Sequence, residues 1–274
     1  MKIIKATGEK EEFNKDKIKT SVMNAGASQK LAEQIAKRVG SEIKEGTTTE
    51  KILDLTINSL KEYKCIDIAV KYDLKRAIML LGPSGFSFEE YLAQILQNYG
   101  YKTTTNNFIK GKAVIQEVDV VASKDNKTSM IEAKYHNHSG IKTGTKVAMY
   151  TYARFLDIKS NSKNKFDDAW LVTNTKYTSE AIKYSTGVNL KLIGWGYPKN
   201  KNLQKLIEEK YLYPITIFKG ISRNTKEHLF RAKIILAKDL ANSNIKLLAK
   251  KTDLDKKTLE KVVNEAKMIC NFKE

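Results

Sequence analysis

Residues 114–134 have the sequence VIQEVDVVASKDNKTSMIEAK. The beginning of this stretch, up to Val121, is rich in valine and isoleucine, which predicts a strand. Asp125 and Asn126 form the signal of a tight hairpin turn, because both residue types tolerate a left-handed backbone. Residues 129–134 then predict the returning strand, so the stretch as a whole predicts a β-hairpin.

Three polar residues of this hairpin carry the candidate chemistry. Glu132 and Lys134 are two residues apart on one strand and share a face, and the hairpin brings Asp119 on the neighbouring strand close to that face. Two carboxylates on paired strands can hold Mg²⁺ or Mn²⁺, which acidifies water and offsets charge on a phosphate. Lys134 can position the attacking water. The alternative is a solvated strand face with ion pairs.

The sequence around the hairpin predicts an α/β core. A helix is predicted from Gly85 to about Asn98, with an apolar stripe and two adjacent acids, Glu89 and Glu90. Further on, residues 170–174 resemble a buried strand that ends in Thr-Asn, and residues 187–195 resemble the closing strand of a known type of nuclease core.

Together these features resemble the PD-(D/E)xK nucleases, and more closely their Mrr-like restriction endonuclease branch. The resemblance covers residues 85–218 and implies a restriction-endonuclease-like α/β/α core with a mixed sheet. It implies that Asp119 and Glu132 bind the metal, that Glu89 on the helix assists, and that Lys134 serves catalysis. Glu90 is the alternative to Glu89, and Glu117 is either a further ligand or a surface charge.

The first segment predicts a short strand, a turn at Gly8 and four helices. Asn14 is expected to be the N-cap of the first helix and Thr49 to cap the third. This order resembles the ATP-cone domain over residues 1–83. The resemblance implies binding of ATP or dATP by a set of strand, turn and helix residues: Ile3, Lys5, Glu11, Asn14, Lys17, Ile18 and Thr49.

Two regions beyond the hairpin suggest contact with nucleic acid. Lys142, Lys146 and Arg154 alternate with aromatic residues, a mixture that suits DNA phosphates and equally suits a helix with an apolar inner face. Residues 219–274 are the most basic part of the chain per residue and predict helices over 225–240, 245–251 and beyond. They resemble a helix-hairpin-helix module loosely, and a plain helical extension is the alternative.

Composition narrows the class of protein. The 274 residues carry a formal net charge of +18, which favours phosphate-rich partners. Hydrophobic residues make up 41% of the chain, a globular value, and no apolar run approaches a membrane span. Two cysteines cannot form a disulfide framework. A cytoplasmic protein without membrane contact is therefore the expectation.

The sequence predicts three parts: a nucleotide-binding cone over 1–83, a nuclease core over 85–218 and a basic helical tail over 219–274. The predicted function is metal-dependent cleavage of DNA, regulated by ATP or dATP. A nucleotide-responsive DNA-binding regulator that does not cleave is the alternative, and RNA or branched DNA is a further substrate class. A homodimer is expected because a double-strand cut usually needs two active sites.

Overall fold

The computed structural model describes residues 1–82, 88–138 and 140–270. The chain divides into two compact units, Met1–Ala77 with the chain end from Met268, and Ile78–Lys267. The start of the helix predicted from Gly85 lies outside the described residues. Within the described ranges, no helix combines the length and the apolar character needed to cross a membrane.

The N-terminal unit contains an antiparallel hairpin and four helices, as the sequence predicts. Its elements are β1 (Lys2–Ile4), β2 (Lys10–Glu12), α1 (Lys15–Asn24), α2 (Gln29–Glu42), α3 (Thr49–Glu62) and α4 (Ile66–Met79). Apolar residues at helical spacing, among them Val22, Ile35 and Leu60, are fully buried and meet in one core. Packing of these amphipathic faces holds the unit together.

Side chains cap the helices of this unit. Asn14 caps α1 as predicted, because its Oδ1 accepts a hydrogen bond from the Asp16 N–H at 2.8 Å. The prediction that Thr49 caps α3 is wrong by one residue. Thr48 is the cap, since its Oγ1 accepts a hydrogen bond from the Lys51 N–H at 3.2 Å, and Thr49 is the first helical residue.

The second unit is built on a five-stranded mixed sheet. Its elements, in chain order, are α5 (Phe88–Asn98), β3 (Lys102–Lys110), β4 (Ile115–Lys124), β5 (Lys127–Lys134), β6 (Lys142–Thr143), α6 (Thr145–Lys159), β7 (Asp168–Thr173), β8 (Lys176–Tyr177), α7 (Ser179–Gly187), β9 (Lys191–Ile193) and α8 (Leu203–Glu209). The strand order is β3-β4-β5-β7-β9. β3, β4 and β5 are antiparallel neighbours, whereas β5, β7 and β9 run parallel.

A tight turn and a shared hydrophobic core account for this sheet. Asp125 and Asn126 both have positive φ angles, 51° and 59°, so the turn between β4 and β5 is a tight one whose twist suits a hairpin. The buried side chains of α6 and α7, such as Phe155 and Ala181, pack with Met130 and Leu171 of the sheet into one core.

The C-terminal part of the second unit is helical. It contains α9 (Arg223–Arg231), α10 (Ala237–Ala241), α11 (Ile245–Thr252) and α12 (Lys256–Cys270). The single helix predicted over 225–240 is wrong. Residues 234–237 instead pair with the backbone of an earlier segment: Ile235 C=O accepts from the Ile215 N–H at 2.9 Å, and the Ala237 N–H donates to Tyr213 C=O at 2.8 Å.

One buried hydrogen bond connects α5 to the segment that precedes the C-terminal helices. The Tyr91 hydroxyl is fully buried and donates to Leu212 C=O at 2.8 Å. We expect Tyr91→Phe to destabilise the second unit by about 1–3 kcal/mol, because it leaves a buried carbonyl without its donor. Chemical denaturation measures the loss. Tyr211→Phe is the matched control, with an expected change below ~0.5 kcal/mol, and equal losses for both variants would contradict the prediction.

Candidate active site

Strands β4 and β5 separate in the middle of the sheet. The last pair of their register is Val120 with Ile131. From there β4 continues beside β3, and β5 continues beside β7. Asp119 and Glu132 are the first residues beyond that pair, one on each strand. They are therefore neighbours at the point where the sheet opens.

The carboxylate of Asp119 completes the backbone hydrogen bonding at this opening. Its Oδ2 accepts from the Ala133 N–H at 2.6 Å. Burial raises the pKa of Asp119 from 3.8 to about 6, and the nearby charges of Glu132 and Glu89 add to the increase. The Ala133 N–H and the Arg154 guanidinium oppose it. The site thus concentrates negative charge in a partly desolvated place.

Glu132 is held by two residues of α6. The residue is only 8% exposed, the Tyr150 hydroxyl donates to Oε1 at 2.8 Å, and the Arg154 guanidinium donates to Oε2. Burial raises the pKa of Tyr150, and the Glu132 charge raises it further, so this hydroxyl stays a donor at neutral pH. Glu132 is therefore fixed in orientation by Tyr150 and paired with the guanidinium of Arg154.

Lys134 lies at the end of β5, half-buried, on the face that it shares with Glu132. It pairs in register with Thr173 of β7. Among the described residues, its ammonium forms no ion pair or hydrogen bond. The ammonium is therefore available for a substrate phosphate or a water molecule.

The two adjacent acids of α5 have different surroundings. Glu89 lies close enough to Asp119 for its charge to raise the pKa of that carboxyl. Glu90 forms an ion pair with Lys233 of the C-terminal helical part, at 2.6 Å. Both stand in the first turn of α5, but Glu89 is the acid near the candidate site.

The basic residues proposed for DNA contact lie in two settings. Lys142 on β6 and Lys146 in the first turn of α6 are exposed. Arg154 is half-buried and paired with Glu132, so it lies at the carboxylates rather than on the outer surface. Glu117 is exposed on β4, two residues before Asp119.

The donor atoms fit a hard divalent cation. Within the described ranges, no group of three or more His, Cys, Asp or Glu side chains is arranged as a complete metal site. Asp119 and Glu132 nonetheless offer adjacent carboxylate oxygens, the ligands that Mg²⁺ takes together with water. Burial, with a smaller contribution from the Glu132 charge, raises the pKa of Asp119, and a bound cation would favour the ionised form of this carboxyl.

Comparison with protein families divides the chain into three successive domains. The family described as ATP cone domain matches residues 1–78, restriction endonuclease matches 80–196, and AF1548-like, C-terminal, matches 213–270.

A relative and a solved structure cover about two thirds of the chain. An uncharacterized protein of Archaeoglobus fulgidus is 41% identical over 178 residues, which is 65% of this chain and 99% of that protein. The chain belongs to the AF1548-like family. The crystal structure of a protein of unknown function, AF1548, has a TM-score of 0.59 to this AF1548-like protein at 40% identity, and the match covers 66% of this chain and 97% of that one.

The ATP-cone domain of this AF1548-like protein brings three predicted nucleotide-binding residues together. Lys5 lies 2.7 Å from Glu11, and Lys17 pairs with the same carboxylate. Glu9 also lies 3.5 Å from the Lys5 ammonium. Two ammonium groups and two carboxylates at the hairpin and the start of α1 therefore form a cluster of ion pairs with no net charge.

The other predicted nucleotide-binding residues have structural roles in this unit. Ile3 and Ile18 are core residues, and the Ile18 side chain is only 5% exposed. Asn14 uses its side chain as the cap of α1. Thr49 begins α3 immediately after the residue that bridges to β1. These residues lie near the hairpin, and the two isoleucines among them are buried.

Sequence reasoning did not identify Tyr150 as a partner of the site. Tyr150 and Arg154 are four residues apart, a spacing that places both on one face of α6. That spacing is visible in the sequence. Their common contact with Glu132 is not, since it depends on how α6 packs beside β5.

The pKa of Asp119 predicts a pH-dependent stability of the metal-free protein. The pKa of Asp119 is about 6 in the folded protein, above its ordinary value of 3.8. The folded state therefore loses stability as pH rises from about 4, and the loss is complete above about 6. We expect Asp119→Asn to stabilise the protein by about 1–2 kcal/mol at pH 8, allowing for solvent screening, and to have little such effect at pH 4. Denaturation in EDTA at both pH values measures this. Parallel pH profiles for parent and variant would contradict it.

Proposed function

We propose that this AF1548-like protein is a metal-dependent DNA endonuclease, and that ATP or dATP bound to its ATP-cone domain regulates cleavage. The observation that carries the proposal is the pair Asp119 and Glu132 at the opening of the sheet, with the available ammonium of Lys134 beside them. The restriction-endonuclease match over residues 80–196 and the net charge of +18 support DNA as the substrate.

Each residue of the site has a proposed task. Asp119 and Glu132 hold Mg²⁺ or Mn²⁺, and Glu89 supports that binding from the first turn of α5. A divalent cation there supplies positive charge to the scissile phosphate and acidifies water. Lys134 orients the attacking water towards phosphorus and stabilises the charge that develops on the phosphate oxygens. The Tyr150 hydroxyl keeps Glu132 in position.

Arg154 and the exposed lysines have a second proposed task. The Arg154 guanidinium neutralises Glu132 in the metal-free protein, and a divalent cation would compete with it for the carboxylate. Once released, it can contact a DNA phosphate, as can Lys142 and Lys146. In the ATP-cone domain, Lys5 and Lys17 are proposed to contact nucleotide phosphates, which must compete with Glu11 for the same ammonium groups.

One contact in the site favours a second function. The ion pair of Arg154 with Glu132 already satisfies a carboxylate that a cleaving enzyme needs for metal. If that pair persists, the protein is a nucleotide-responsive DNA-binding regulator that does not cleave. A homodimer is proposed for the cleaving form, because two strands require two active sites.

Plasmid cleavage tests the proposal directly. We expect metal-dependent loss of supercoiled DNA by the parent, and a reduction of at least ~100-fold in Asp119→Asn and Lys134→Met, because each removes a group that acts on the reacting atoms. Lys183→Met, which removes an exposed lysine of α7, is the matched control and should cleave within ~2-fold of the parent. ATP and dATP are added in parallel reactions, and a change in rate is expected with one or both.

Two outcomes would reject cleavage by this site. One is full activity in Asp119→Asn or Lys134→Met. The other is binding of DNA by the parent without any cleavage in Mg²⁺ or Mn²⁺, with or without nucleotide, which favours the regulator.

The adjacent acids of α5 provide a second prediction, in which Glu90 is the control for Glu89. We expect Glu89→Gln to slow cleavage by about tenfold, because it removes a charge that supports metal binding. Glu90→Gln should cleave within ~2-fold of the parent and lose less than ~1 kcal/mol of stability, because it breaks a surface ion pair with Lys233. Initial cleavage rates at limiting Mg²⁺ compare the two, and a larger effect of Glu90→Gln would reverse the assignment.

A further inference from the structure

The hairpin between β3 and β4 exposes large apolar side chains. Its tip, residues 108–115, carries Phe108, Val114 and Ile115, which are 73%, 58% and 66% exposed. Clustered apolar groups on a surface indicate an interaction site, because water contact is unfavourable for each of them.

The tip is held rigidly by Asp157 of α6. This carboxylate accepts from the Ala113 N–H at 2.7 Å and from the Gln116 side chain at 2.8 Å. Gly111 permits the approach, since a Cβ there would overlap the Asp157 carboxylate. The donated hydrogen bonds lower the pKa of Asp157, so it stays ionised and keeps its hold at neutral pH.

Two asparagines after α6 complete this support. The side-chain amides of Asn161 and Asn164 both donate to Lys110 C=O, at 2.8 Å each. Because several of its backbone polar groups form hydrogen bonds with α6 and the residues after it, the tip presents its apolar side chains to solvent in a fixed arrangement. Such preorganisation lowers the entropy cost of binding.

The tip and the candidate active site share one strand. Phe108 pairs in register with Glu117, two residues before Asp119. Ile115 lies four residues before Asp119, which is about 13 Å along the strand at 3.3 Å per residue. A single DNA molecule can therefore contact the tip and the carboxylates together.

Charge identifies the partner of the tip. Lys110 and Lys112 are exposed on it and Lys163 is exposed beside its asparagine supports, whereas the nearby acids are Glu117, opposite Phe108, and Asp157, whose carboxylate binds the tip backbone. These lysines complement a polyanion. They oppose a second copy of this chain, whose net charge is also positive, +18.

We propose that the hairpin tip packs Phe108 and its apolar neighbours against unstacked DNA bases, and that the substrate class is DNA with a junction between duplex and single strand. In a continuous duplex the base faces are covered by stacking, and exposing them costs a few kcal/mol. At a junction the last base pair offers an uncovered face, which an aromatic side chain can stack on. The proposal rests on the proposed function for the identity of the polymer.

Binding measured without cleavage tests this inference. Fluorescence anisotropy in EDTA compares the full-length protein on a labelled forked DNA and on a blunt duplex of equal length. We expect Phe108→Ala to weaken fork binding by about tenfold and duplex binding by less than ~2-fold. Phe108→Trp should restore fork binding, since it keeps an aromatic face. Leu247→Ala, which removes another exposed apolar side chain (60%) on α11, is the control and should change neither affinity.

Three results would overturn the inference: an unchanged fork affinity in Phe108→Ala, an equal loss on both DNAs, or a change in sedimentation of the free protein on that substitution, which would identify a second copy as the partner. A cleavage assay distinguishes failure of the nuclease proposal from failure of this inference. If the parent cleaves neither DNA in Mg²⁺ or Mn²⁺ but prefers the fork through Phe108, cleavage is rejected and the junction-binding tip stands.

Discussion

The hydrogen bond from the Ala133 N–H to the Asp119 carboxylate is the interaction on which the site depends. It takes the place of backbone pairing at the point where β4 and β5 separate. A side chain thus satisfies a donor that an opened sheet would otherwise leave without its strand partner. The consequence is a carboxylate drawn between strands beside Glu132, in a place where its ionisation is unfavourable. The position of this carboxylate and its raised pKa therefore have the same origin.

Residues beyond the sheet hold the helix that carries Glu89 in place. Helix α5 carries Glu89, and its next two residues bind elsewhere: Glu90 pairs with Lys233, and Tyr91 donates to Leu212 C=O. These contacts fix the helix from which Glu89 acts on Asp119. Two segments outside the helices, at Leu212 and at Lys233 between α9 and α10, therefore hold the helix that carries this acid of the candidate site.

Helix α6 links the site with the hairpin tip. Tyr150, Arg154 and Asp157 lie at helical spacings of four and three residues, which places them along one face. The first two hold Glu132, and the third holds the backbone of the tip. One rigid helix thus sets the orientation of a carboxylate and of an apolar surface that stands about 13 Å away along β4.

The sequence by itself determined the hairpin that carries Asp119 and Glu132, the Asp125-Asn126 turn and the Asn14 cap, because these features depend on local conformational preferences. Each depends on residues close together in the chain, and the order of the domains was indicated by the resemblance of the sequence to two known families. Contacts between distant residues were decided by the tertiary structure alone. The helix predicted over 225–240 breaks because residues 234–237 pair with the backbone near Ile215, and Arg154 meets Glu132 because α6 packs against the sheet. Periodicity describes which face of a helix is buried, whereas the partner of that face is set by the packing of the whole fold.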